Sequence, residues 1–91
     1  MSGSTDYEAT KRLAQAFSER DHGEHERAIE SLKWVIFTCE GKGSATCEYL
    51  LRTALIVLYG IYRSLGLSDE ASQYHRKALK LGITKEELEK V

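Results

Sequence analysis

Residues 49–67 read YLLRTALIVLYGIYRSLGL and form the most apolar stretch of this 91-residue chain. Apolar side chains recur there at steps of three and four, as on one broad face of a helix: Leu50, Leu51, Ala54, Leu55, Leu58, Tyr59, Ile61 and Tyr62. Ile56, Val57 and Gly60 make the other side apolar or small as well, so the helix needs partners on two sides. It is too short to cross a bilayer, which takes about 20 apolar residues. We predict that it is the central helix of a small all-α protein.

The composition is that of one domain, residues 1–91, with a single modest core. Lysine and arginine number 13 and aspartate and glutamate 14, for a net charge of −1. This balance lacks the basic face of a nucleic-acid-binding protein. The opening MSGSTDYEAT has no basic segment followed by an apolar one, unlike a secretory signal. We therefore expect a soluble cytoplasmic protein that binds neither nucleic acid nor membrane.

Capping signals divide the chain into five helices. Gly23 can adopt the left-handed conformation that ends the first helix. Ser44 and Ser68 are the predicted N-caps of the third and fourth helices, and Thr84 with Glu87 forms a capping box before the fifth. These signals predict two antiparallel helical hairpins and a short C-terminal capping helix: residues 5–39, 44–81 and 83–91.

The two hairpins repeat each other. Gly23 stands five residues before Ala28, and Gly66 stands five residues before Ala71, so the repeat period is 43 residues. Each unit is a helix, a tight turn and a second helix, and neither can bury both of its faces alone. The two units are therefore predicted to stack.

The repeated unit resembles the tetratricopeptide repeat (TPR). Consensus positions of that family are matched by Leu58, Tyr62, Gly66, Ala71, Ala78 and Leu79 in the second unit, and by Ala16, Gly23, Ala28, Leu32 and Ile36 in the first. Glu19, Val35 and Tyr59 depart from the family's pattern. The standard repeat is about 34 residues long, and the longer period here resembles the variant repeats of about 42 residues in kinesin light chains and related adaptors.

The resemblance implies a non-enzymatic scaffold that holds a peptide or a helix on a concave surface, lined by the first helix of each repeat. Mapped onto this chain, the surface includes Leu13, Ala14, Phe17, Arg20, Ile56, Val57, Gly60 and Arg63. Because most of these residues are apolar, we expect a groove for an amphipathic helix rather than a clamp for a terminal carboxylate. Its occupant is a foreign ligand, a second copy of the chain, or the chain's own last helix.

Two aromatic residues lie off the inward stripe of the second helix. Trp34 and Phe37 share a flank that Leu32 and Ile36 do not occupy. We expect the long third helix to cover both rings as part of the core. If they are exposed instead, they are the first candidates for a dimer contact.

No residue pattern predicts catalysis, a metal or a cofactor. Cys39 and Cys47 flank one turn, and we expect two buried thiols rather than a disulfide. His22 and His25 are interpreted as exposed turn residues, and His75 as a partly buried packing group. No serine or cysteine pairs convincingly with a base, so we expect a protein that is not an enzyme.

The preferred hypothesis is a protein- or peptide-binding scaffold with two TPR-like hairpins. One alternative is a self-associating helical bundle, a homodimer whose partner copy covers its apolar surface. Another is an engineered or excised repeat domain without its own ligand. The absence of proline favours this second alternative, and the two cysteines and the irregular repeats count against it.

Overall fold

The computed structural model describes residues 2–90, with side chains from residue 5 onward. Its helices are α1 (Ser2–Asp21), α2 (His25–Cys39), α3 (Ala45–Ser64), α4 (Ser68–Lys80) and α5 (Lys85–Glu89). No strand occurs within residues 2–90, so the prediction of an all-α fold is confirmed. Within the same range, no helix is long and apolar enough to cross a membrane.

Local signals explain most helix ends. A glycine with a left-handed backbone follows each of the first four helices, and other residues are strained in that conformation. The Ser44 hydroxyl accepts a hydrogen bond from the Cys47 amide at 3.0 Å, and the Thr84–Glu87 capping box is present. The prediction of Ser68 as an N-cap is wrong: Leu67 holds that position without a side-chain hydrogen bond, and Ser68 is the first helical residue.

The predicted start of the first hairpin at residue 5 is also too late, because α1 begins at Ser2. Asp6 therefore lies inside α1. Its Oδ1 accepts hydrogen bonds from the Ser44 hydroxyl and the Cys47 thiol, both at 3.3 Å. This contact joins the first turns of α1 to the N-terminus of α3.

The central helix is α3, as its two-sided apolar pattern predicts. It packs against α1, α2, α4 and α5, whereas α1 packs mainly against α2. Leu55 and Leu58 are fully buried between these neighbours. After α4, Ile83 and Leu88 turn back into the core and anchor the short α5 against α3.

The two hairpins differ at equivalent positions between their helices. In the second hairpin, Tyr62 and Tyr74 stack with ring centroids 5.6 Å apart, and Lys33 of α2 lies 5.9 Å from the Tyr62 ring. The residues 43 positions earlier are Glu19 and Ser31, which form a hydrogen bond of 2.8 Å instead. The tyrosine pair thus lies where the second hairpin meets the first, and the polar pair lies on the outer side of the first hairpin.

Candidate protein-binding surfaces

The residues predicted to bind a partner divide into buried and exposed groups. Leu13 and Val57 are each only 5% exposed and belong to the core. Their assignment to an open groove is therefore corrected. For Val57 the physical reason is that α3 has neighbours on both sides, so the second apolar side of the helix is covered as well; Leu13 lies on α1, which packs against both α2 and α3.

The remaining predicted residues reach the surface. Phe17 and Ile56 pack against the core and stay partly exposed. The Arg20 guanidinium lies over the Phe17 ring, 5.1 Å from its centroid. We call the following set the α1/α3 surface: Phe17, Arg20, Ile56, Gly60 and Arg63. The set combines the two apolar side chains of Phe17 and Ile56 with one arginine from each helix.

The expectation that Trp34 and Phe37 belong to the core is wrong. Phe37 is 81% exposed and Trp34 is 36% exposed. Trp34 is partly covered because the Arg12 guanidinium of α1 lies 5.3 Å from its ring centroid. Phe37 lies one turn further along α2, off the buried stripe that includes Leu32 and Ile36. We call Trp34 and Phe37 the α2 patch.

A polar network occupies the outer side of the first hairpin. The Arg12 Nε donates to the Ser31 hydroxyl at 3.2 Å, and that hydroxyl donates to Glu19 at 2.8 Å. The Gln15 amide donates to the other Glu19 oxygen at 3.1 Å. Burial opposes ionisation of Glu19, but these hydrogen bonds and the charge of Arg12 outweigh it and lower the pKa of Glu19. A carboxylate with a lowered pKa is a weak base, so the pair is poorly suited to activate Ser31 as a nucleophile.

The two cysteines are free and buried, which confirms the prediction of two buried thiols. Burial, followed by the hydrogen bond with Cys47, raises the pKa of the Cys39 thiol to about 12. Because the thiolate is the reactive form of cysteine, a thiol with this pKa is chemically inert near neutral pH.

The histidines lie in different environments. His22 is exposed, as predicted, and its Nδ1 lies 2.7 Å from the Ser18 carbonyl oxygen. His25 is partly buried rather than exposed, and its Nδ1 has no hydrogen-bond partner among the described residues. His75 packs against Tyr59 with centroids 5.5 Å apart, which confirms its role as a packing group. In the described part of the chain, no three histidine, cysteine or acidic side chains are placed to hold a metal ion.

Sequence reasoning missed a groove of about 450 Å³ between the C-terminal half of α3 and the N-terminal half of α4. We call it the α3/α4 groove, and its lining includes Tyr59, Arg63, Ser68, Ala71, Ser72 and His75. One signal for it was present in the sequence. Tyr59 and His75 occupy positions that Ala16 and Leu32 hold in the first repeat.

No family model matches the chain, and neither a curated protein nor a solved structure is detectably similar to it. The resemblance to the TPR family therefore stays a prediction from the repeat pattern. The function has to be argued from the surfaces described above.

Proposed function

We propose that this protein is a non-enzymatic protein-binding scaffold whose α1/α3 surface takes an amphipathic helix. The observation that carries the proposal is the state of Phe17 and Ile56. Both rest on the rigid core and keep part of their side chains exposed. Partly exposed apolar side chains that pack against the core bind a partner with little further loss of rotamer freedom.

The energetic case for this surface is modest. A helix that covers the exposed parts of Phe17 and Ile56 gains at most about 1–2 kcal/mol for each, given about 25 cal/mol per Å² of apolar surface removed from water. Arg20 and Arg63 lie at its edges, where charges set orientation and association rate more than affinity. Association costs at least about 4 kcal/mol, which these two contacts at most offset, so most of the affinity has to come from the partner's other contacts, and Phe17 and Ile56 determine where the partner binds.

A panel of synthetic amphipathic helical peptides whose polar faces carry no charged side chain tests the proposal by fluorescence titration. Peptides that bind the unmodified protein should lose at least about tenfold in affinity for Phe17→Ala, since removing an aromatic anchor costs about 2 kcal/mol. The matched control is Ser72→Glu, which changes the α3/α4 groove and should leave these affinities unchanged. Circular dichroism establishes that both variants are folded. The proposal fails if no peptide binds below about 1 mM, or if Phe17→Ala binds as well as the parent.

A second candidate function, self-association through the α2 patch, is favoured by the 81% exposure of Phe37. In a symmetric dimer each contact occurs twice, so burial of Phe37 stabilises the pair by about 2 kcal/mol per copy. A specific interface removes about 800 Å² from each partner, whereas the whole chain exposes 5761 Å². The α2 patch supplies only part of such an area, so this dimer would be weak.

Light scattering over a hundredfold concentration range tests self-association. The hypothesis expects a mass that rises toward the dimer at high concentration, and a constant monomer for Phe37→Ser. The matched control is Tyr49→Ser, which removes another highly exposed aromatic ring from a different helix and should dimerise as the parent does. A monomer throughout, or a dimer that survives Phe37→Ser, contradicts a dimer built on the α2 patch.

A further inference from the structure

The α3/α4 groove corresponds, through the internal repeat, to a face of the first hairpin that already holds a helix. Tyr59, Ala71 and His75 stand 43 positions after Ala16, Ala28 and Leu32. In the first hairpin those three residues are fully buried, and α3 packs against both α1 and α2. The equivalent face of the second hairpin is therefore the position at which one more helix would pack, with Tyr59 and His75 in place of Ala16 and Leu32.

The chain fills only part of that face. Arg52 donates a hydrogen bond to the Leu81 carbonyl at 3.1 Å and lies 3.9 Å from the Glu87 carboxylate, so α5 is held near the N-terminal half of α3. It contributes Leu88 to the core. The groove at the other half, next to Tyr59 and Ser72, remains open.

The chemistry of the groove selects an acidic occupant. Arg63 is exposed and makes no ion pair within the described part of the chain. Ser68, Ser72 and His75 add hydroxyl and ring donors, and none of the described residues that line the groove is acidic. Ala71, which is 7% exposed, provides an apolar contact in the lining.

The outer face of the first hairpin provides the contrast. There the Ser31 hydroxyl accepts a hydrogen bond from Arg12 and donates one to Glu19, so the chain itself supplies both the cation and the carboxylate. In the groove, the Arg63 guanidinium has no carboxylate paired with it among the described residues. A charged side chain of this kind favours a partner that brings the opposite charge.

We infer that the α3/α4 groove is a second interaction surface, which takes an acidic amphipathic α-helix of a partner protein. The helix places alanine or leucine against Ala71 and a carboxylate against Arg63. This site is separate from the proposed function: although Arg63 adjoins both surfaces, Ser72 belongs to the groove alone and Phe17 to the α1/α3 surface alone.

The probe is a capped synthetic peptide of about 18 residues, long enough to form a helix in water. It carries an alanine–leucine face flanked by glutamates at i and i+4, and a second peptide carries lysine in place of glutamate. Titration into the full chain is followed by amide chemical shifts. The glutamate peptide is expected to bind at least about tenfold more tightly than the lysine peptide, with shifts centred on the groove.

Three variants locate the binding. Ser72→Glu adds a negative charge to the groove and should weaken the glutamate peptide at least about tenfold. Ser18→Glu makes the same change at an exposed position of α1 and should have no effect, and Phe17→Ala should also have none. The inference is overturned if the glutamate and lysine peptides bind equally, or if Ser72→Glu binds the glutamate peptide as tightly as the parent does. It is also overturned if the chemical-shift changes centre on the α1/α3 surface, or if none occurs at about 1 mM peptide. Loss of binding in Phe17→Ala alone would support the proposed function and refute this one.

Discussion

Val57 gives the most direct test of whether α3 is covered on both sides. Its side chain is 5% exposed, so Val57→Ala removes two buried methyl groups. At about 0.8 kcal/mol for each buried carbon, the lost transfer energy is about 1.6 kcal/mol, and the cavity left behind adds to it. The better helix propensity of alanine offsets about 0.5 kcal/mol. The expected net loss of stability is about 1.5–2 kcal/mol.

Urea unfolding followed by circular dichroism measures this loss. With a denaturant slope near 2 kcal/mol/M for a small domain, the midpoint should fall by about 1 M. The melting temperature should fall by about 4–8 °C for each kcal/mol. Val57→Asp places an unpaired charge in the same site and should cost more than about 4 kcal/mol, which is most of the stability of a domain at the lower end of the usual range of about 5–15 kcal/mol.

Tyr49→Ala is the control on the same helix. Tyr49 is 67% exposed, so its loss should change stability by no more than about 0.5 kcal/mol. The reasoning is refuted if Val57→Ala unfolds within about 0.3 M urea of the parent at an unchanged slope. That result would mean that Val57 faces solvent and that an open groove runs along α3.

Three further predictions concern buried or capping groups. Ser31→Ala should lower the free energy of unfolding by about 1–2 kcal/mol. Because the pKa of Glu19 is lowered, the stabilisation by its ionised carboxylate is present above about pH 4.5 and is lost in acid. The stability difference between variant and parent should therefore be smaller at pH 3 than at neutral pH, and an equal difference at the two pH values would contradict this. Thr84→Ala removes the cap of α5 at a cost of about 1 kcal/mol, and faster amide exchange at Leu88 is the measurement; unchanged exchange would show that the cap is dispensable. Because the pKa of Cys39 is raised to about 12 from 9.0, iodoacetamide at pH 8 should label it only after unfolding, and rapid labelling of the native protein would contradict its burial.

Much of the candidate site was not predictable from the sequence. Arg63 was assigned to the α1/α3 surface by its place in the repeat, and the structure keeps it exposed there. The α3/α4 groove was missed because a groove depends on what a neighbouring helix fails to cover. The substitutions of Tyr59 for Ala16 and of His75 for Leu32 were visible, but they indicate an open face only once α5 is known to end before reaching it.

The sequence by itself determined most of the helix ends and which helix is central. Glycines, the Ser44 cap and the Thr84 capping box act through neighbouring backbone groups, so their effect can be predicted without knowing the fold. Only the tertiary structure decided which apolar residues are open to a partner. Val57 and Phe37 are both apolar residues off a main helix stripe, yet one is buried and the other is exposed. Burial depends on which helices pack alongside, and that packing is a property of the whole chain.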